Sequence, residues 1–93
     1  MTGTPRPAQP GDPLTARELD ILYWTAAGLR NHGVATQLHL EHNTIKTHLR
    51  RLFRKLGAVD RAHLIAAAFS HGYLTVRDGH IVAAGHDHHE RAA

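Results

Sequence analysis

Between Thr44 and Leu56 the chain carries five cationic side chains and no acidic one, and Gly57 follows. On a helical wheel, the apolar residues of this segment gather on one side and the polar and basic residues cover the other. The apolar side consists of Ile45, Leu49, Leu52, Phe53 and Leu56, and the polar side of Lys46, Thr47, Arg50, Arg51, Arg54 and Lys55. The apolar side is therefore expected to pack in a hydrophobic core, and the basic side is expected to bind an anionic ligand.

The major groove of duplex DNA accepts a helix with such a face, because some side chains can read base edges while others bind phosphate. The formal net charge is only +3, but five of the eleven Lys and Arg residues lie within this one segment. This uneven placement favours nucleic acid as the partner. A basic helix face is also often simply hydrated, so charge alone leaves both interpretations open.

The overall composition limits how such a helix can be supported. A chain of 93 residues fits one small domain. It contains no cysteine, so hydrophobic packing rather than a disulfide or a thiolate zinc site must supply stability. No apolar run is long enough to cross a bilayer, and the N-terminus lacks the pattern of a secretory signal. We therefore expect a cytoplasmic protein with no membrane contact.

The first part of the chain changes character at residue 14. Residues 1–13 hold all four prolines and are predicted to form a flexible lead. Thr15 and Glu18 have the spacing of a capping box, which predicts that the first helix starts here. Gly28 is placed where a left-handed helix stop is expected. A second, shorter helix is predicted over residues 32–39.

The fourth predicted helix starts at Asp60, a good N-cap, and ends before Gly72. Its middle, residues 64–69, is apolar nearly all round. A helix that packs on one neighbour needs only one apolar stripe, so the surplus indicates a second contact surface, which a partner subunit would supply.

The remaining residues form a predicted C-terminal tail, residues 75–93. Asp78 and Gly79 are a type I′ turn signal between two short alternating runs. A small hairpin over residues 74–83 is therefore possible, although two isolated strands are marginal in water, and the sequence does not decide the matter. The last residues, 85–93, are polar, rich in histidine and predicted to be disordered.

Taken together, residues 14–74 resemble the LuxR-type, or GerE-like, helix-turn-helix domain of bacterial transcriptional regulators. The matching residues are Leu14, Thr15, Arg17, Glu18, Ile21, Leu22, Ala26, Gly28, Asn31, Val34, Ala35, Leu38, Thr44, Ile45, Lys46, His48, Lys55, Leu56, Gly57 and Arg61. The resemblance implies an all-α, four-helix fold. Its second and third helices would form the helix-turn-helix, its third would enter the major groove, and its fourth would make a dimer.

The resemblance also implies roles for individual residues. Positions that would face bases are those of Lys46, Thr47 and Arg50, while Thr44, Arg51, Arg54 and Lys55 would lie nearer the DNA backbone. Arginine and lysine can bind guanine edges, so Lys46 and Arg50 are the expected determinants of sequence preference. The expected dimer interface is the alanine-rich surface formed by Ala62, Ala66 and Ala67.

Two helix starts depart from the family pattern. Where the family usually has a capping box before the second helix, this chain has Arg30 and Gly33, which leaves Asn31 as a candidate N-cap one residue later. Glu41 stands where a serine usually caps the third helix, and glutamate is a poor cap. We therefore predict a helix-turn-helix that is more mobile than is usual in the family.

The family's DNA-binding domain usually follows a receiver or ligand-binding domain, and thirteen residues are too few to form one. The chain is therefore expected to be either a stand-alone regulator or a fragment. In a stand-alone regulator, dimerisation or cellular concentration would have to set DNA occupancy.

The sequence contains no catalytic motif and only a loose group of histidines that could bind metal. No constellation of nucleophile, base or phosphate-binding loop is present, so we predict no enzyme activity, no cofactor and no small-molecule ligand. His86, His88 and His89 form a loose tract that would bind nickel or zinc adventitiously, and no specific metal site is predicted. His48 flanks the apolar stripe, where a packing role is favoured over pH sensing.

These observations favour a sequence-specific, dimeric DNA-binding transcriptional regulator. The alternative is a protein-interaction module that keeps the fold but binds another regulator through the apolar fourth helix. A third possibility, a promoter-reading region resembling that of a sigma factor, explains the match over residues 15–28 less well.

Overall fold

A computed structural model of the chain describes residues 7–83. Four helices are followed by two strands. They are α1 (Ala16–Ala26), α2 (Asn31–Leu38), α3 (His42–Leu56), α4 (Arg61–Ser70), β1 (Leu74–Arg77) and β2 (His80–Ala83). The predicted four-helix fold is confirmed, and the small C-terminal hairpin, which the sequence leaves undecided, is present. The predicted disordered end, residues 85–93, lies outside the described residues.

Helix α1 begins with the predicted capping box. The Oγ1 atom of Thr15 accepts a hydrogen bond from the Glu18 amide at 3.1 Å, and Glu18 Oε1 accepts one from the Thr15 amide at 2.9 Å. The helix ends at Ala26, and two residues later Gly28 has a φ of +106°, which only glycine adopts at little cost. Both ends of α1 therefore follow from local sequence signals.

Helices α2 and α3 begin without side-chain caps. Arg30 and Glu41 occupy their N-cap positions, and neither side chain accepts a hydrogen bond from its helix. Glu41 behaves as expected, but the suggestion that Asn31 caps α2 is wrong, because Asn31 is the first residue of that helix. Its Oδ1 atom instead accepts a hydrogen bond from Arg61 Nη1 at 3.0 Å.

Helix α4 has a reciprocal cap. The Oδ1 atom of Asp60 accepts a hydrogen bond from the His63 amide at 2.8 Å, as the sequence predicts. In return, Nδ1 of His63 accepts a hydrogen bond from the Val59 amide at 3.2 Å. The His63 amide in the first turn of α4 and the Val59 amide just before the helix are therefore both satisfied by side chains.

The hairpin pairs β1 with β2 in antiparallel register, from Leu74 opposite Ala83 to Arg77 opposite His80. Asp78 and Gly79 both have positive φ, at 53° and 78°, as a type I′ turn requires. β2 packs against α1 and β1 against α4, and Leu74 and Ala83 are buried there. This packing supplies the support that an isolated hairpin lacks.

The core lies between the helices and the base of the hairpin. Helix α3 contacts α1, α2 and α4, so three helices brace it along its apolar side. The largest fully buried apolar residues are Ile21, Leu22, Val34, Ile45, Leu52, Leu64 and Leu74. The opposite side of α3 is consequently held outward. Within residues 7–83, no helix is both long enough and apolar enough to cross a membrane.

Residues 7–13 of the expected flexible lead contain no regular helix or strand, but they lie on α3. The Gly11 amide donates a hydrogen bond to the carbonyl of Lys55 at 2.9 Å. Ala8 is only 4% exposed. The last carbonyls of a helix have no partner within it, so the C-terminal end of α3 offers an acceptor that the composition of the lead does not reveal.

Candidate nucleic-acid interface

The polar side of α3 presents one continuous row of side chains. Thr47, Arg50, Arg51 and Arg54 follow the i, i+3, i+4, i+7 spacing that aligns residues on one face, and we call this row the outward stripe. It lies opposite the buried residues Ile45, Leu49 and Leu52. Lys46 and Thr44, also predicted site residues, lie on the same helix beside the stripe, with Lys46 exposed and Thr44 half-buried.

Two members of the outward stripe are held against their own helix. Thr47 Oγ1 donates a hydrogen bond to the Asn43 carbonyl at 3.1 Å, and Arg50 Nη2 donates one to Thr47 Oγ1 at 3.4 Å. Both bonds are exposed, so water or a nucleic-acid group competes with them readily. The two side chains can therefore exchange these local partners for a ligand.

Lys55 corrects the sequence prediction. Its side chain is 4% exposed, and Nζ donates hydrogen bonds to Glu18 Oε1 at 2.6 Å and to the Pro13 carbonyl at 2.9 Å. A lysine in this position cannot reach a DNA phosphate. On the wheel Lys55 lies at the border of the apolar side, and α1 brings the Glu18 carboxylate to that border, so the lysine faces inward.

Arg51 is shared between the core and the surface. Its Nε atom donates a hydrogen bond to Glu18 Oε2 at 3.1 Å, while 38% of its side chain remains exposed. The carboxylate of Glu18 thus binds Lys55 with one oxygen and Arg51 with the other. This arrangement fixes α1 against α3 and leaves part of the Arg51 guanidinium facing outward.

The charge state of Glu18 follows from these contacts. Burial alone would raise its pKa, but hydrogen bonds from Lys55, from the Thr15 amide and from Arg51 outweigh burial and lower the pKa below its ordinary value. Glu18 is therefore an anion at neutral pH. Sequence reasoning assigned Glu18 to the cap of α1 and missed this second role, because 37 positions separate it from Lys55.

His48 lies between the core and the cluster around Glu18. Burial lowers the pKa of its imidazole, the Glu18 charge opposes that effect, and the charges of Arg17, Arg51 and Lys55 lower the pKa further. The imidazole is therefore neutral at pH 7. Among residues 7–83, its Nδ1 atom has no hydrogen-bond partner.

A second basic surface lies where α2 and α3 begin. Arg61 donates hydrogen bonds to Asn31 Oδ1 at 3.0 Å and to the Leu29 carbonyl at 2.6 Å, which ties α4 to the start of α2. A concavity of about 470 Å³ is lined by Arg30, Asn31, His32, His42 and Arg61. The positive ends of two helices without side-chain caps lie here, which adds to the positive potential. Sequence reasoning missed this surface because three segments build it.

The predicted dimer surface is only partly on the outside of α4. Ala62 and Ala66, one turn apart, are exposed. Ala67 is 6% exposed and belongs to the core with Leu64 and Ala68, so its assignment to the interface needs correction. The physical reason is its i+3 spacing from Leu64, which places it on the inward side of the helix.

A protein metal site is not apparent in the part of the chain that the structure describes. Among residues 7–83, no three histidine, cysteine, aspartate or glutamate side chains come together to hold an ion. The histidine tract formed by His86, His88 and His89 lies outside these residues.

The four helices, with an exposed basic third helix braced by the other three, define a helix-turn-helix DNA-binding domain. Comparison of the sequence with known families agrees. The profile of the family described as bacterial regulatory proteins, luxR family, matches residues 12–68, which is more than half of the chain. The chain belongs to this family.

Relatives with similar sequences are named as transcriptional regulatory proteins. YxjL of Bacillus subtilis, an uncharacterized transcriptional regulatory protein, is 39% identical over 63 residues, covering 68% of this chain and 29% of YxjL. The transcriptional regulatory protein MctR of Rhizobium johnstonii is 42% identical over 64 residues, covering 69% of this chain and 30% of MctR. The chain thus spans less than a third of each of these relatives.

Solved structures with the same fold include a phage VqmA in complex with DPO. It has a TM-score of 0.61 and 33% identity, with 66% of this chain and 28% of that chain covered. A Vibrio cholera VqmA, solved with a ligand and DNA, has a TM-score of 0.62 and 28% identity, with 64% and 26% covered. The fold found here therefore also occurs in a protein solved in complex with DNA.

Proposed function

We propose that this chain recognises specific DNA sequences by inserting α3 into the major groove. The observation that carries the proposal is the outward stripe, where three arginines project from the side of α3 that the other helices leave open. Within residues 7–83, Arg50 and Arg54 form no salt bridge with an acidic side chain. Their positive charge is therefore available to a polyanion.

The dimensions of α3 suit this mode of binding. A helix with its side chains is about 10–12 Å across, and the major groove of B-DNA is about 12 Å wide. Lys46, Thr47 and Arg50 would read base edges, since a lysine or arginine can bind O6 and N7 of guanine. Thr44, Arg51 and Arg54 would contact the phosphate backbone. Lys55 is excluded from this set by its burial.

We further propose that two copies bind a two-fold related site through α4. The exposed Ala62 and Ala66 are small enough to let a second helix approach closely, and Val59 just before the helix is 82% exposed. A two-fold axis would place the same residues on both sides of the contact. It would also present two α3 helices to successive major grooves.

The proposal is tested by selecting bound fragments from a random DNA pool and measuring affinity for the selected sequence over a series of salt concentrations. Arg54→Gln is expected to lower the salt slope by about 1, the value for one lost phosphate contact. Arg77→Gln is the matched control, because it removes the same charge from an exposed position on the hairpin. This control should leave the slope nearly unchanged.

A second substitution tests base recognition in the same assay. Arg50→Ala is expected to weaken binding to the selected sequence and to relax preference at one base pair, by about 1–3 kcal/mol. Unchanged affinity and unchanged preference would show that Arg50 does not read bases. If the unaltered chain is dimeric but binds duplexes only weakly and without preference, the protein-interaction alternative would be favoured.

A further inference from the structure

Residues 7–11, which we call the strap, cross the same face of α3 that is proposed to enter DNA. The strap begins at the C-terminal end of α3, where the Gly11 amide donates to the Lys55 carbonyl at 2.9 Å. It then runs back toward the middle of the helix. Pro7 and Ala8 line a concavity of about 280 Å³ together with the outward stripe, that is, with Thr47, Arg50, Arg51 and Arg54.

The strap touches the protein through Ala8, while Pro7, Gln9, Pro10 and Gly11 are exposed. Ala8 is 4% exposed. A turn supports it, since the Gln9 amide donates to Asp12 Oδ2 at 2.9 Å and the Asp12 amide donates to the Gln9 carbonyl at 3.1 Å. These contacts hold the strap in one position, but the bond between Gln9 and Asp12 is exposed to solvent, so a competing ligand can displace the strap.

The strap and the wall of a major groove would occupy the same space beside α3. An α-helix of about 10–12 Å nearly fills a major groove about 12 Å wide. A second chain beside it adds about 5 Å, the spacing of adjacent extended backbones. The helix and the strap together are therefore too wide for the groove, and the strap must leave before the outward stripe can enter.

Residues 7–13 carry no cationic side chain that could hold DNA, and the nearest basic residue before them in the sequence is Arg6. Residues 7–13 contain three prolines, one aspartate and no basic residue. Proline has no amide hydrogen to offer a phosphate, and the Gly11 amide is already bonded to Lys55. Residues 7–13 thus lie beside a cationic surface and add no positive charge to it.

We infer that the strap is an autoinhibitory contact, which in its closed position competes with DNA for Thr47 and the arginines of the outward stripe. This inference rests on the proposed function of α3. In the closed state the strap lies beside the outward stripe and occupies space that the groove wall would need, so only the open fraction binds. The apparent affinity is therefore lower than the intrinsic affinity by that fraction.

A substitution at Gly11 can open the strap without introducing a steric clash. Its φ is +86°, and a Cβ atom added there would meet no atom within 4 Å, so Gly11→Ala disfavours the closed backbone without a clash. We expect this variant to bind the selected duplex at least ~3-fold more tightly. Gln9→Ala is the matched control, because the Gln9 side chain is exposed and the backbone bonds of the turn remain.

A second variant reaches the same state by another route. Ala8→Gln keeps the charge but places a longer polar side chain where an alanine is buried, so it too should open the strap and tighten binding. Amide hydrogen exchange supplies an independent measurement. The Gly11 amide should be protected in the free protein and should lose that protection when duplex DNA is added.

The outcomes separate the two proposals. Tighter binding by both variants, with the Gln9→Ala control unchanged, supports the strap. If the unaltered chain binds DNA while Gly11→Ala and Ala8→Gln bind equally well or more weakly, the strap is not inhibitory and this inference fails. If the unaltered chain and all variants fail to bind any selected duplex, the proposed function itself fails, and the inference with it.

Discussion

The buried cluster around Glu18 makes a strong prediction about stability. Glu18→Gln removes the carboxylate that faces Lys55, and both side chains are almost fully buried, at 1% and 4% exposed. The glutamine retains an Oε1 atom that can accept the hydrogen bond from the Thr15 amide, so the cap of α1 can persist. The loss therefore reports mainly on the uncompensated charge of Lys55.

The expected magnitude follows from the contacts that remain. Removing one partner of a buried ion pair typically costs about 3–5 kcal/mol. The lower end applies here, because Lys55 Nζ keeps the Pro13 carbonyl as an acceptor. Arg51 is more than a third exposed, so the loss of its ion pair with Glu18 adds only about 1 kcal/mol or less to the destabilisation. We expect the free energy of unfolding to fall by about 3 kcal/mol and Tm by about 12–24 °C.

Circular dichroism during urea and thermal unfolding at pH 7 measures this change, and Lys55→Met completes a double-mutant cycle. The double variant should be more stable than Glu18→Gln alone, because no unpaired lysine charge is left in the core. A loss below about 1 kcal/mol for Glu18→Gln would refute the reasoning, since it would mean that the charge reaches water. A double variant no more stable than Glu18→Gln would refute it as well.

Three further predictions concern pH, assembly and mobility. The pKa of His48 is lower in the folded state than in the unfolded chain, so the unfolded chain takes up a proton at higher pH. His48 therefore contributes stability above pH ~6.5, and this contribution is lost as the pH falls toward the folded-state pKa. His48→Gln should flatten this part of the stability profile in urea titrations at several pH values, and an unchanged slope would contradict the assignment. Ala66→Lys, on the exposed side of α4, should shift a dimer toward monomer in sedimentation while the fold is kept, whereas Ala67→Lys should unfold the chain. Amide exchange over residues 31–45 should be faster than in α1, because α2 and α3 lack side-chain caps, and uniformly slow exchange there would contradict this.

Features set by neighbouring residues could be predicted from the sequence. The cap formed by Thr15 and Glu18, the cap at Asp60 and the Asp78-Gly79 turn are each complete within about four residues. Whether the hairpin would form was undecided, because its stability depends on packing against α1 and α4. The outward stripe was also accessible in advance, since a single helical period generates it.

Features set by distant residues could not be predicted in this way. Lys55 lies at the border of the apolar side of α3, where periodicity alone allows it to face either way. The Glu18 carboxylate decides the outcome, and only the fold brings it within 2.6 Å of Lys55 Nζ. Ala67 is similar, since an all-apolar helix does not show which side the other helices will cover.

Lys55 connects the stability of the core to the accessibility of the DNA-facing side. Its side chain binds Glu18 and the Pro13 carbonyl, while its own carbonyl accepts the Gly11 amide. Lys55 therefore holds the chain just after the strap through the Pro13 carbonyl and closes the strap through the Gly11 amide, and opening the strap breaks the second of these bonds. A buried lysine on a basic helix thus has a function in the proposed mechanism although it touches no phosphate, because it determines where the strap is attached.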